Sequence, residues 1–401
     1  MKDLKHLIYF EKLLENTNNE LIDQAIGEGK LALGYTCFAM PEVILNVDNC
    51  FSVRLRAPKT GSMDIATYYM SNYTCEYCRA ILERIIEGGM NFLSALCAVD
   101  ACAMMNRAAE NVDLLKPMPN EKFFVTHADI PYKVEGFTIE HYTTQMRNRI
   151  LKELESVYGV DISDEALLDA VRRHNEVCEI LTEIGEMRKL ELAPITGYEY
   201  HILNLVSYCA PKHLIVDKLR ETLEEIKKRK VDEKPWYRAR VSIVGSEIDD
   251  PQMIKLIEEQ GAFVVSDRFC FGSTPGREVI PIDENSGEDI LRQICRHYLE
   301  VSECPRFMSA EKVEQRRKTA DRLAREYRAD GIIYEQIKFC DFWGFERALA
   351  GHIQEQDYGH PVLSIDRPYM VGTSGQLRTR MQAFVESLEI KKIQNRKEGV
   401  Q

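Results

Sequence analysis

Gly331-Ile-Ile-Tyr-Glu-Gln-Ile-Lys-Phe-Cys-Asp-Phe-Trp343 reads as an apolar strand that runs into a cysteine. In an α/β protein, a side chain at that point faces the crevice where ligands bind. Two more cysteines sit in comparable strand-to-helix contexts, Cys75 in Asn72-Tyr-Thr-Cys-Glu-Tyr-Cys-Arg79 and Cys102 in Val99-Asp-Ala-Cys-Ala-Met-Met105. Three thiolates from distant segments suit a cubane iron–sulfur cluster with one iron left open. The same three also suit the buried apolar cysteines common in protein cores.

Strands alternate with helical patterns on both sides of this stretch. Leu31–Thr36, Phe51–Arg56, Ser94–Val99 and Phe123–Thr126 read as strands, with helices expected from Glu76 to Glu87 and from Cys102 to Asn111. A second series runs through Arg240–Gly245, Ala262–Ser266, Ile332–Tyr334 and Val362–Ile365. Such alternation predicts α/β architecture, with two doubly wound parallel-sheet domains. The expected division is an N-terminal helix (1–30), a first α/β domain (31–134), a helical segment (135–235), a second α/β domain (236–389) and a solvated tail (390–401). Ser163 and Asp250 are expected to cap the helices that follow them, the second with Pro251 in its first turn. Pro235 marks the end of the helical segment.

The net charge of −12 argues against nucleic acid or an anionic membrane as the main partner, and no segment approaches the ~18 apolar residues that span a bilayer. Twelve cysteines without a secretory leader point to a reducing cytoplasm, where ligation or catalysis outranks disulfides. There is no P-loop, GxGxxG, GxSxG or HExxH, so bound ATP, dinucleotide and hydrolytic zinc chemistry are all unsupported. Cys75-Glu-Tyr-Cys78 lacks the second CxxC of a zinc site; its first cysteine is better placed at a helix N-terminus, whose dipole favours a thiolate. Cys78 would lie nearby in that helix. Cys270 precedes a Gly-, Ser- and Thr-rich turn that suits an anion cradle or an ordinary connection. Gly372-Thr-Ser-Gly-Gln-Leu-Arg-Thr-Arg380 offers two arginines for a carboxylate or phosphate, or for surface ion pairs.

Together these segments resemble the 2-hydroxyacyl-CoA dehydratase and benzoyl-CoA reductase family over nearly the whole chain. The resemblance rests on Gly34-Tyr-Thr-Cys-Phe-Ala-Met-Pro41, the Cys75 and Cys102 segments, Val244-Gly-Ser-Glu-Ile-Asp-Asp250, Gly261-Ala-Phe-Val-Val-Ser-Asp267, Lys338-Phe-Cys-Asp341 and Gly375–Phe384. It implies a [4Fe–4S] cluster on Cys75, Cys102 and Cys340, one-electron chemistry on an acyl-CoA thioester, a dimer with itself or a sister subunit, and electrons from an ATP-hydrolysing iron–sulfur activator. Arg54, Arg56, Arg378 and Arg380 are the basic candidates for CoA phosphates. The chain departs from the family pattern at Val43, Val47-Asp-Asn49, Ala103 and Pro368; Glu42 is the stand-in for the carboxylate missing at Val43. A second branch carries an [8Fe–9S] double cubane on six cysteines and reduces small molecules. Cys37, Cys75, Cys102, Cys270 and Cys340 match five of those positions, leaving Cys78 or Cys97 for the sixth. A cluster-free scaffold or binding subunit is the reading from a different class.

Overall fold

The computed structural model describes residues 2–370 and 375–397. Its frame is two four-stranded, all-parallel sheets. The first contains β1 (Leu31–Tyr35), β2 (Cys50–Arg54), β3 (Ala95–Val99) and β4 (Phe124–Ala128), ordered β2-β1-β3-β4. The second contains β5 (Ala239–Gly245), β6 (Ala262–Phe269), β7 (Gly331–Ile337) and β8 (Val362–Arg367), ordered β6-β5-β7-β8. Six of the eight strands are apolar runs buried for most or all of their length, as helices on both faces require; β4 and β8 are the half-exposed edges. The expected α/β class with two parallel sheets is what the chain adopts.

The two orders are the same, and each reverses beside its first strand. That creates a crevice at the carboxyl ends of β1 and β3 in one sheet, and of β5 and β7 in the other, the usual place for a ligand in open α/β sheets. Between the sheets lies the helix Gly197–Cys209, buried at all but one position and packed against both β2 and β6. Thr196 and Glu199 form a reciprocal cap at its start, and the Glu258 carboxylate accepts from the Gly197 and Tyr198 amides at 2.8 and 3.0 Å. Ser163 and Asp250 cap their helices as expected, accepting from the Ala166 and Gln252 amides.

Two expectations need correction. The N-terminal amphipathic pattern folds as two helices, Leu7–Leu13 and Glu20–Gly27. Asn19 breaks it, because its side chain accepts from the Leu21 and Ile22 amides and starts a second helix. The tail is not frayed from residue 390, since the helix that begins at Gly375 runs to Lys397. Lys392 ties that end to Asp330 at 2.8 Å. The Gly372–Ser374 part of the loop before this helix, and residues 398–401, lie outside the described residues.

Candidate functional site

Cys75, Cys102 and Cys340 occupy the same local position three times: each is the residue immediately before a helix, Glu76–Ile86, Ala103–Leu115 and Asp341–Gln356 respectively. Cys102 and Cys340 follow β3 and β7, the strands flanking the two crevices. A helix N-terminus presents unpaired amides and partial positive charge, so it favours a thiolate or an anion. The Cys102 sulfur accepts from the Met105 amide at 3.5 Å, while no side-chain cap is assigned to Cys75 or Cys340. Phe339, just before Cys340, has φ of 65°. A left-handed aromatic residue costs ~1–3 kcal/mol, a strain that aims the next side chain.

The three cysteines line one cavity of about 200 Å³ where the carboxyl ends of the two sheets face each other. Cys37, Cys78, Cys270 and Cys304 line it too. Met104, Met105, Phe342 and Trp343 make much of the rest, with Glu247 as a carboxyl in the wall. Cys78 is hydrogen-bonded to Cys102 and Cys75, so the first helix turn contributes two adjacent thiols. That bond from Cys78, with help from the Met105 and Met104 amides and Arg306, brings Cys102 down to about 7 against the effect of burial. Burial pushes Cys37 up to about 12 and Cys270 and Cys340 well above the ordinary thiol value. Burial likewise lifts the Glu247 carboxyl to about 8, against the pull of Arg54.

Thiol donors select soft metals, zinc or iron–sulfur clusters. Among the described residues, no three His, Cys, Asp or Glu side chains converge as a single ion would need. Seven thiols around a space of this size instead suit a polyatomic group whose ligands stand at separate corners. The residues therefore fit an iron–sulfur cluster.

A smaller pocket of about 50 Å³ adjoins the cavity and shares Cys37, Cys270, Cys304 and Trp343 with it. Cys270 accepts from the Trp343 indole N–H at 3.4 Å. Cys304, in the loop between the helices Ile290–Val301 and Ala310–Glu326, was not among the sequence candidates. Cys97 was, but it lies within β3, is buried and lines neither space.

Glu42 lines neither space either. It is buried, accepts from the Tyr35 hydroxyl at 2.5 Å, and stands 3.2, 3.1 and 3.2 Å from Lys212, Arg277 and His174. Burial alone would raise its carboxyl, yet Lys212, Arg277 and His174 hold it well below the usual range. Nor do the four arginines cluster. Arg56 is buried on the Leu14 and Asp249 carbonyls, Arg378 is exposed beside Glu259, and Arg380 donates to the Ser364 carbonyl. Arg54 is buried against the Phe271 and Tyr208 rings and lines only the smaller pocket.

The model of the family described as 2-hydroxyglutaryl-CoA dehydratase, D-component, matches residues 37–388. The chain belongs to this family. It is similar to the (R)-phenyllactyl-CoA dehydratase beta subunit of Clostridium sporogenes, 24% identical over 379 residues that cover 94% of this chain and 97% of that protein. It is also similar to a benzoyl-CoA reductase subunit from Thauera aromatica, at 22% over 80% of this chain and 81% of that one. The (R)-2-hydroxyglutaryl-CoA dehydratase subunit beta of Acidaminococcus fermentans is 20% identical over 90% of this chain and 93% of its own length. Among the described residues no helix is long and apolar enough to cross a membrane.

Proposed function

We propose that this chain is the iron–sulfur subunit of a cytoplasmic enzyme that acts on an acyl-CoA thioester, as a 2-hydroxyacyl-CoA dehydratase or a related reductase. The observation that carries this reading is the convergence of Cys75, Cys102 and Cys340, each at a helix N-terminus, on one cavity between two crevices. These three would hold a [4Fe–4S] cluster, which supplies one-electron chemistry when bound. The three helix N-termini favour its negative charge. Met104, Met105, Phe342 and Trp343 keep water from the reacting atoms, which strengthens every electrostatic interaction inside. Glu247 is the carboxyl within reach of the cavity.

Electrons come from a separate ATP-hydrolysing activator, in keeping with the absence of a P-loop. The enzyme is completed by a sister subunit. Three relatives are named as subunits, and exposed apolar side chains lie close to the cavity cysteines. Tyr73 and Phe339 pack edge to face at 5.8 Å and each lies within two residues of such a cysteine, while Phe345 and Leu349 are exposed one turn apart on the helix that starts after Cys340. Apolar surface of this kind marks an interaction face.

Cys304 favours a second reading. With Cys37 and Cys270 it makes a second set of three thiols around the smaller pocket, the ligand count of a double cubane without recourse to Cys97. Iron and acid-labile sulfide in anaerobically purified protein decide the matter. About four of each per chain supports one cubane, about eight supports the double cluster, and none refutes both. Turnover of a 2-hydroxyacyl-CoA with an activator and reductant, with and without candidate sister subunits, tests the reaction.

A further inference from the structure

Arg54 is 1% exposed, yet no nitrogen of its guanidinium makes a hydrogen bond. Its ring contacts hold it in place, with its central carbon 4.0 Å from the centre of the Phe271 ring and 5.0 Å from that of Tyr208. The nearest carboxylate, Glu247, stands 3.6 Å from one terminal nitrogen and makes no hydrogen bond to it. Guanidinium carries five donors in a rigid fork, and leaving buried donors unpaired is destabilising because their hydration is lost with nothing in return. A buried cation in this condition is a half-made interaction.

The wall of the 50 Å³ pocket that includes Arg54 also includes Ser302, 2% exposed, whose hydroxyl likewise has no partner. Among the buried side chains of that wall, two others are engaged. Arg268 is paired with Glu303, and the Trp343 indole donates to Cys270. The vacant buried donors belong to Arg54 and Ser302. At ~30 Å³ per water molecule, the space of about 50 Å³ admits about two water-sized groups, such as the oxygens of a carboxylate head or one sulfide.

We propose that this pocket is a subsite for a small anion, with Arg54 as its counter-ion and Ser302 as a second donor. The chemistry is that of a carboxylate head or a sulfide, either of which accepts from a guanidinium fork. Such a group reaches it through the shared wall of Cys37, Cys270 and Cys304, as the end of a substrate or as sulfide bound beside those thiols. The subsite is formed by this chain's own side chains and rests on the single-cubane reading, since a second cubane on Cys37, Cys270 and Cys304 would take the same space.

The test uses chelator-treated, metal-free, full-length protein and azide as the probe, read by its infrared stretch. Wild-type protein is expected to bind azide saturably, with the band displaced from its free-solution position. Arg54→Gln is expected to weaken binding by at least about tenfold, as the loss of a charge-assisted hydrogen bond implies. Ser302→Val, which removes the hydroxyl donor and adds one methyl group without changing charge, should also abolish the displaced band and serves if Arg54→Gln does not fold. Arg378→Gln, on the surface, should bind as wild type. Displacement of azide by formate assigns the site to carboxylates, and displacement by sulfide alone assigns it to sulfide. Absence of saturable binding, or equal binding in wild type and Ser302→Val, overturns the proposal.

Discussion

Replacing Glu42 by glutamine separates two roles for this carboxylate, one chemical and one architectural. In the folded chain it faces Lys212, Arg277 and His174, with the first two cations nearly sealed from water. Glutamine keeps the shape and removes the charge, leaving Lys212 and Arg277 buried without their counter-ion. Breaking a buried pair from one side costs ~3–5 kcal/mol. Unfolding entropy of ~2.1 cal/mol/K per residue, over 401 residues, makes that about 4–6 °C in the melting temperature. Scanning calorimetry of metal-free protein at neutral pH reads it directly. The double variant Glu42→Gln/Lys212→Met should recover part of the loss, because it withdraws one orphaned cation along with the carboxylate. An unchanged melting temperature combined with abolished turnover would refute the architectural role and restore Glu42 as an acid–base group.

Other outcomes follow from the same structure. Cys340→Ala should lower bound iron, whereas Cys178→Ala, buried beside His174 and away from the cavity, should leave it intact; a fully loaded Cys340→Ala protein removes the ligand assignment. Burial pushes His201 down to about 3, so the folded state keeps it neutral while the unfolded chain takes a proton below about 6.5. Stability from this group is thus lost as pH falls, by ~2 kcal/mol between pH 6.5 and 5, and the difference in denaturant stability between wild type and His201→Phe should change by that amount. His174 has the opposite sign. Burial alone would lower it, but Cys178 and Glu42 raise it to about 9, so its contribution fades as pH climbs from about 6.5 through 9 and should vanish from that limb in His174→Gln. Gly197→Ala would set a methyl 2.6 Å from the Val264 carbonyl oxygen, an overpacking cost of ~1–3 kcal/mol visible in denaturant unfolding.

The strands were legible because buried parallel strands are written as short apolar runs, and the β1, β3, β5 and β7 segments are such runs in the sequence. Cys75, Cys102 and Cys340 were legible for a related reason: each follows or precedes a readable element. Cys304 follows a helix rather than a strand and lies in Ser302-Glu-Cys-Pro-Arg306, so no periodicity pointed to it; a cysteine in a polar loop of a cysteine-rich chain was the available signal. Arg54 and Arg56 read as candidates for CoA phosphates because a charge at a strand end usually faces solvent. Aromatic rings and backbone carbonyls from distant segments are what permit their burial. The surroundings of Glu42 were equally hidden, since His174, Lys212 and Arg277 are brought to it only by the helical middle and the loop after β6.

Cys75 and Cys102 belong to one sheet's side of the cavity, Cys270 and Cys340 to the other's. Any group held by both sets is a clasp between two halves that lie far apart along the chain. Its binding free energy adds to the resistance of those halves to separation, because the opened state has no such pocket to bind it. Removing it would loosen the seam before either sheet melts. The buried helix Gly197–Cys209, which touches both halves, is where faster amide exchange would first report that loosening.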